Sequence, residues 1–413
     1  MEIETLKRSH LKRNILIAVV VVLIISAVIL QFTRARYRVT QSIPLVNGTI
    51  NYTAPDLNVL AIYVDGVSTD TLPTGNYELT SESYCEIDGE RTDVTLSYDS
   101  STQALSVTPF TTRGTKCTLY FEEANSAADI IEGIYENNQD ILAYDGTTDN
   151  NLRYIGENPA NYVYFNCSNY SNPSSSTCEL WRIIGIFDEN THGVSGEKLV
   201  KLIRSESLGS LEWNSSGLND WSRASLQETL NGDYLNRTGS YSSTGITSAT
   251  KDMIETITWK LGGKSTNGYT ASSNGTTSSW YASERGTTVY SGRPTEWQGK
   301  IGLIYPSDYG FATSGGSRGR DTCLSYVLSA WSDSSECYNN DWIYVSRSKI
   351  HTITPASNNS SIIFYMDRVD EGRIYHGSVY DASHVYPTLY LTSDVSITGG
   401  TGTQSNPYTL STN

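Results

Sequence analysis

The sequence predicts an α+β chain in three parts: an N-terminal transmembrane helix, a small β-sandwich and a larger α+β domain. Three observations predict it: one apolar run near the N-terminus, a cluster of short period-two runs from 58 to 123, and mixed strand-like and helix-like segments from 149 to 413. A chain of 413 residues also exceeds one ordinary core, since domains cluster near roughly 100 to 150 residues.

The apolar run "NILIAVVVVLIISAVILQF", Asn14 to Phe32, is interrupted between Ile15 and Leu30 only by Ser26. At a helical rise of about 1.5 Å per residue it just crosses a hydrocarbon core of about 30 Å. A cleavable signal peptide would have an h-region of about 7 to 15 residues followed by small residues. Here the run is longer, and Arg34, Arg36 and Arg38 follow with no small-x-small site between. The expectation is an uncleaved anchor over 1–38 and a polar, proline-bearing stalk over 39–57 (Pro44, Pro55).

Charge and cysteine usage place the remainder. Residues 1 to 38 hold seven Lys/Arg against Glu2 and Glu4, a surplus of five, so the rest carries −20 within a chain of −15. An acidic body with no basic stripe repels phosphate backbones, which argues against a nucleic-acid partner. All six cysteines lie beyond the apolar run, in three local pairs: Cys85 with Cys117, Cys167 with Cys178, and Cys323 with Cys337. Pairs of this kind, with no CxxC spacing or nearby histidine for a metal, read as disulfides of an oxidising compartment. Residues 39 to 413 are therefore expected outside the cell. Nine N-x-S/T sequons, Asn47, Asn51 and Asn236 among them, are glycan acceptors or accidents of an Asn/Ser/Thr-rich chain.

Between 58 and 123, "NVLAIYVDG", "NYELTSESYC", "DVTLSYD", "ALSVTPF" and "KCTLYFEE" alternate in polarity between turn residues, the pattern of a small immunoglobulin-like sandwich. The segment 124–148 reads as a connecting helix and loop. Ala128, Ile131 and Ile134 fall at helical spacing there, and Ser126 stands at the cap position. The larger domain, 149–413, opens with strands "LWRIIGIFD" and "KLVKLIRSESL". Two helices are expected next: "DWSRASLQETLNGDYL", capped by Asp220 and stopped by Gly232, and "SATKDMIETITWKLGG", with the stripe Met253, Ile254, Ile257 and Leu261. Residues 263 to 292 read as low-complexity loop. "KIGLIYPSDYG" reads as a strand and a turn, and short strands ending in "VYPTLYLTSD" complete the chain.

Catalytic motifs are weak. "LGGKST" lacks the first glycine of a phosphate-binding loop and is expected to follow a helix, and "SRSK" has neither SDN nor KTG partners. Ser307 has no nucleophile elbow; Pro306, Asp308 and Gly310 around it make a structural corner. The acidic turn "DGTTDNN", Asp145 to Asn151, offers oxygens to Ca²⁺, the one cofactor the sequence admits, but no twelve-residue loop closes with Glu.

Tyrosine stands out instead: 29 against 7 phenylalanines, with six between Asp341 and Tyr390. Tyr with Ser, Gly and Asn supplies rigid contact area on recognition loops. The candidate ligand-binding residues are Trp342, Tyr344, Tyr365, Arg368, Arg373, Tyr375, His376, Tyr380 and His384.

Together "CELWRIIGIF", "TLNGDYLN", "KIGLIYPSDYGFATSGG" and "VYPTLYLTSD" resemble a functionally uncharacterised family of Gram-positive bacterial surface proteins. The large domain of that family is similar to the C-type-lectin-like fold that formylglycine-generating enzymes share, and the small sandwich is a frequent companion. The chain has Tyr386 before Pro387 where relatives tend to have Arg, and it lacks the EPN or QPD tripeptides of calcium-dependent lectins. The resemblance implies no catalytic residue. It also implies that "WRIIGIF" and "YPTLYL" pair as neighbouring strands. The expected function is a membrane-anchored extracellular adhesin or receptor for an unknown protein or glycan ligand. The alternatives are an extracellular enzyme acting on cell-wall or redox substrates, through Cys323 and Cys337 as thiols, or a structural surface subunit.

Overall fold

The computed structural model describes residues 58–74, 77–99, 103–108, 115–343, 349–367 and 372–412. The expected membrane span and stalk lie outside these residues. Among the described residues no helix is long and apolar enough to cross a membrane. The protein is mixed α+β with sheets dominant, and it divides into two units, at Glu123 and Ala124.

The first unit holds strands β1 (Asn58–Val64), β2 (Val67–Thr69), β3 (Tyr77–Leu79), β4 (Tyr84–Ile87), β5 (Glu90–Thr92), β6 (Thr95–Asp99), β7 (Ala104–Thr108) and β8 (Lys116–Glu123). One sheet runs β2-β1-β8-β4-β5, with β3 also on β8, and β6–β7 form a separate hairpin. Ile62, Leu119 and Phe121 of the sheet meet Leu105 of the hairpin in a small core, where Tyr98 packs edge-on to Phe121 at 4.8 Å. Cys85 and Cys117 lie directly opposite each other on the paired strands β4 and β8 and are bonded. That bridge stays within one sheet, whereas an antibody domain bridges two sheets. It closes a 32-residue separation, worth about 4 kcal/mol on the chain-entropy account.

The second unit opens with the Ala127–Asn137 helix. Ser126 caps it, accepting from the Asp129 amide while the Asp129 carboxylate accepts from the Ser126 amide. The helix is built into this unit and is more than a connector: Ala127, Ala128 and Ile131 are buried in its core.

Strands β9 (Leu142–Tyr144), β10 (Leu152–Tyr154), β11 (Tyr162–Phe165), β12 (Glu179–Phe187) and β13 (Leu199–Arg204) come next, then β14 (Ser210–Leu211), β15 (Ile257–Lys260), β16 (Glu296–Gly299) and β17 (Ile301–Gly302). The chain finishes with β18 (Ile350–Pro355), β19 (Ile362–Asp367), β20 (Arg373–Ser378), β21 (Ser383–His384), β22 (Thr388–Tyr390), β23 (Val395–Gly399) and β24 (Thr409–Thr412). A seven-stranded sheet runs β17-β22-β13-β12-β10-β9 with β11 also on β12, and a five-stranded sheet runs β14-β21-β18-β19-β20.

This topology corrects the expected terminal pairing. β12 and β22 share a sheet, but β13 lies between them, pairing Ile183 with Leu202 on one side and Tyr390 with Lys201 on the other. β13 follows β12 by a short connection and takes the neighbouring place first, as sequential strands usually do. The distant C-terminal strand then closes onto β13.

Three local readings also change. The helix expected from 248 to 263 is a single turn, Ser248–Lys251, followed by strand β15. Ile257 and Trp259 alternate inward, and Thr256, Ile257 and Thr258 are β-branched, which favours a pleated strand. The helix expected after Asp220 is a 3₁₀ turn, Trp221–Arg223, then Ser225–Thr229, then a π-helical stretch Leu230–Tyr234 that runs through Gly232. Asp220 spends its carboxylate on Ser222 and Arg223 instead of capping. Within the expected loop 263–292, Thr276 caps a Thr277–Glu284 helix whose Trp280, Tyr281 and Glu284 are buried.

The three disulfides pair as the sequence predicts, and no cysteine is free. Two sequons are closed to glycans in the fold: Asn166 and Asn214 are buried, with their amides donating to Gly245 and Leu218 carbonyls.

Candidate functional site

The five-stranded sheet carries most of the residues expected to meet a ligand. In the β19–β20 hairpin Tyr365 faces Tyr375, Asp367 faces Arg373, Phe364 faces His376 and Met366 faces Ile374. Alternation along a strand sends these pairs to opposite faces. Phe364, Met366 and Ile374 are fully buried, whereas Tyr375 is 38% exposed. Beyond the strand Tyr380 is 53% exposed, its ring lying against Gly217.

The outward face is held by cations and rings. The Arg373 guanidinium sits 4.7 Å from the Tyr375 ring centre, and the Lys349 ammonium 4.8 Å from that of Tyr365. Tyr365 and Tyr375 meet edge to face at 6.1 Å. Gly377 makes room for this arrangement, because a Cβ there would stand 2.9 Å from Tyr365 Cε1 and 2.7 Å from Asp381 Oδ2. Asp381 accepts from the Ser378 amide at 3.1 Å and closes the turn after β20. The hydrogen bond with Tyr365 raises the Lys349 pKa.

Beneath this face, His376 Nδ1 lies 3.1 Å from the Tyr269 hydroxyl, and its ring is stacked on Tyr375 at 4.9 Å. Burial lowers the His376 pKa and pushes Tyr269 up to about 12. His351, opposite Tyr365 on β18, is buried, with Nε2 2.8 Å from the Leu211 carbonyl. Burial brings its pKa down to about 4.

Of the nine candidate residues, Tyr365, Arg373, Tyr375 and His376 come together on this hairpin, with Tyr380 just beyond its end. His384 sits on β21, three strands from β20, with Nδ1 3.0 Å from Ser207 Oγ. Trp342 is a core residue, donating from Nε1 to the Tyr154 carbonyl at 2.8 Å and stacking beneath Arg182. Tyr344 and Arg368 lie outside the described residues. Sequence reading missed Lys349, Tyr269 and Asp381; Tyr269 falls in the segment taken as loop.

The segment that invites an enzymatic reading is a short helix, Pro306–Phe311, not a turn. Ser307 and Asp308 are fully buried in an ion network. Asp308 accepts from Arg153 Nη1 at 2.8 Å, Lys201 Nζ at 2.6 Å and the Tyr305 amide at 2.9 Å. Arg153 also donates to Asp145 at 2.9 Å. Ser307 is held through both amide and hydroxyl by Glu284, which pairs with Arg285 at 2.9 Å.

Burial opposes ionisation of Asp308, but Lys201 and Arg153 outweigh it and lower its pKa to about 2. Lys201, ringed by Phe187, Trp259, Tyr305 and Tyr390, is brought down by burial to about 8 despite Asp308. Burial raises Glu284 more than Arg285 lowers it. The four described histidines hydrogen-bond to other groups, and none reaches Ser307.

Two weaker motifs are absorbed by the core. Lys264 of "LGGKST" follows strand β15 instead of the expected helix, and it is buried against the Thr277–Glu284 helix, donating to Ser279 and Ser283. In the acidic turn Asp145 is spent on Thr147, Asn151 and Arg153, and Asp149 accepts from Tyr281.

No family model, curated protein or solved structure matches the chain.

Proposed function

We propose that the chain is a membrane-anchored extracellular binding protein, an adhesin or receptor of a Gram-positive cell surface, that takes its ligand on the outer face of β19–β20. The observation that carries this reading is the exposed pair Tyr375, on β20, and Tyr380, just beyond its end, flanked by Arg373, Lys349 and Asp381. Rigid aromatic anchors beside polar groups are how recognition surfaces gain affinity at low entropy cost. Three disulfides support an oxidising compartment. The apolar run from Asn14 to Phe32 supports the anchor. With the resemblance noted above, we assign the larger unit to the C-type-lectin-like class and the smaller one to the immunoglobulin-like sandwiches. The ligand is a protein or a glycan.

The test replaces the exposed Tyr375 and Tyr380 together by Ala and measures adhesion of cells displaying the chain to their natural surfaces. Adhesion is expected to fall at least tenfold while surface display, read by antibody, holds. Unchanged adhesion would place the binding face elsewhere.

A further inference from the structure

The exposed surface around Tyr375 continues past Tyr380 onto a second segment, the turn from Asn214 to Asn219. Among the described residues seven large apolar or aromatic side chains are exposed, and three of them, Leu218, Tyr375 and Tyr380, fall on this turn and the hairpin beside it. An exposed leucine standing alone needs no explanation. This one is fixed in place next to an exposed ring.

The turn is fastened at both ends. Asn214 is buried; its Oδ1 accepts from the Ser216 and Ser225 amides, and its Nδ2 donates to the Leu218 carbonyl at 2.7 Å. Asn219, also buried, donates from Nδ2 to the carbonyls of Ala356, Asn359 and Ile362. The amides of Trp213 and Asn214 both donate to the Val379 carbonyl, at 3.0 and 3.1 Å, which ties the turn to the residue before Tyr380. At Gly217 φ is +76°, and a Cβ there would overlap the Tyr380 hydroxyl and stand 2.8 Å from Cζ. Glycine at this position lets the Tyr380 ring rest on the turn, one residue from Leu218.

What this surface has to offer separates the two ligand classes. A sugar needs convergent polar groups and an open ring face. Here the polar groups already have partners within the chain: Lys349 donates to the Tyr365 hydroxyl, Asp381 accepts from the Ser378 amide, and Arg373 pairs with Asp367. The Tyr375 ring has the Arg373 guanidinium 4.7 Å and the His376 ring 4.9 Å from its centre, and the Tyr380 ring lies against Gly217. Leu218 adds aliphatic area and no hydrogen bond. Apolar area at the centre with paired charges around it is the anatomy of a contact between proteins.

Resting on the recognition face proposed above, we infer that its ligand is a protein that packs an apolar side chain across Leu218 and Tyr380, and that the 214–219 turn is a second contact segment. The test measures adhesion of cells displaying the full chain to their natural surface, after that surface is treated with protease or with periodate, which oxidises the vicinal diols of sugars. Adhesion is expected to disappear after protease and to hold after periodate. Leu218→Asp, which puts a charge in the apolar centre, should lower adhesion about tenfold or more. Leu218→Ala should lower it about three- to fivefold, for the apolar area withdrawn. Display, read by antibody, should hold in both variants.

Adhesion that survives protease, or is lost after periodate, overturns the inference and leaves the face standing. Adhesion abolished by the double Tyr375 and Tyr380 replacement yet unchanged in both Leu218 variants does the same. Adhesion that survives the tyrosine replacement removes the face, and this inference with it.

Discussion

The ion network around Asp308 and the face around Tyr375 draw on the same residue types, with opposite results. In the first, Arg153, Lys201, Asp145 and Asp308 are fully enclosed, and the two carboxylates are satisfied by neighbouring donors. In the second, Arg373 and Lys349 lie over rings whose outer member, Tyr375, keeps over a third of its surface in water. A charge that has consumed its partners inside a core holds the fold together, and an aromatic ring left uncovered on a strand has contact area to offer. Density of chemically active residues therefore does not by itself mark the binding site; the discriminating quantity is what each group has left uncommitted.

The largest effect that would sharpen this contrast is on stability. Asp308→Ala strands Lys201 in a cage of four rings and takes one of the two partners from Arg153, so a loss of about 3 to 5 kcal/mol is expected by chemical denaturation. Adding Lys201→Met to that variant should recover part of the loss, because an apolar side chain suits the cage better than an unpaired ammonium. A cost below 1 kcal/mol for Asp308→Ala would mean that the network is peripheral to folding.

Acid should act through several buried groups, and His351 and Asp308 shift furthest among the described histidines and carboxylates. The folded pKa of His351 is about 4 against an ordinary 6.5, because burial withdraws the ring from water and the Leu211 carbonyl beside Nε2 offsets only part of that. The unfolded chain therefore binds this proton first as pH falls. Stability is full above 6.5 and declines toward pH 4, by about 3 kcal/mol. Asp308 follows: its folded pKa of about 2 lies below the ordinary 3.8, so its contribution is present above 3.8 and lost as pH drops toward 2, by about 2 kcal/mol. In a urea titration repeated across pH, His351→Gln should shrink the upper step, leaving the smaller share of the buried His192 and the half-buried His376, and leave the lower one. A single step near pH 4 in both proteins would refute the assignment.

Legibility in the sequence tracked the range of the interaction. The three disulfides were visible because each pair is local, and the Ser126 cap because its partner is three residues away. The ion network was invisible: Arg153, Lys201 and Asp308 are brought together across separations of 107 and 155 residues, and no spacing rule links them. Ile257 to Leu261 satisfied a helical stripe and a strand alternation at once, and tertiary pairing with β16 decided it. The tyrosine content raised the expectation of a recognition surface, but only strand register shows that Tyr375 turns outward while Phe364 and Met366 turn in.

The smallest expected effect is the most direct probe of the outer face. Gly377 has no side chain, and a methyl group there would overlap Asp381 Oδ2 and Tyr365 Cε1, at 2.7 and 2.9 Å, so both must shift. Asp381 is exposed and can swing away, whereas the buried Tyr365 ring must give, so Gly377→Ala should cost about 1 kcal/mol, the low end of overpacking. The displaced Tyr365 ring lies 4.8 Å from Lys349 and 6.1 Å from Tyr375, so the cation and the exposed ring must shift with it. A variant that folds normally yet loses adhesion in proportion to the double Tyr375 and Tyr380 replacement would show that ring placement, beyond the mere presence of tyrosine, makes the surface. Adhesion unaffected by Gly377→Ala but abolished by Tyr375→Ala would leave the exposed ring as the anchor and reduce Tyr365 to a support.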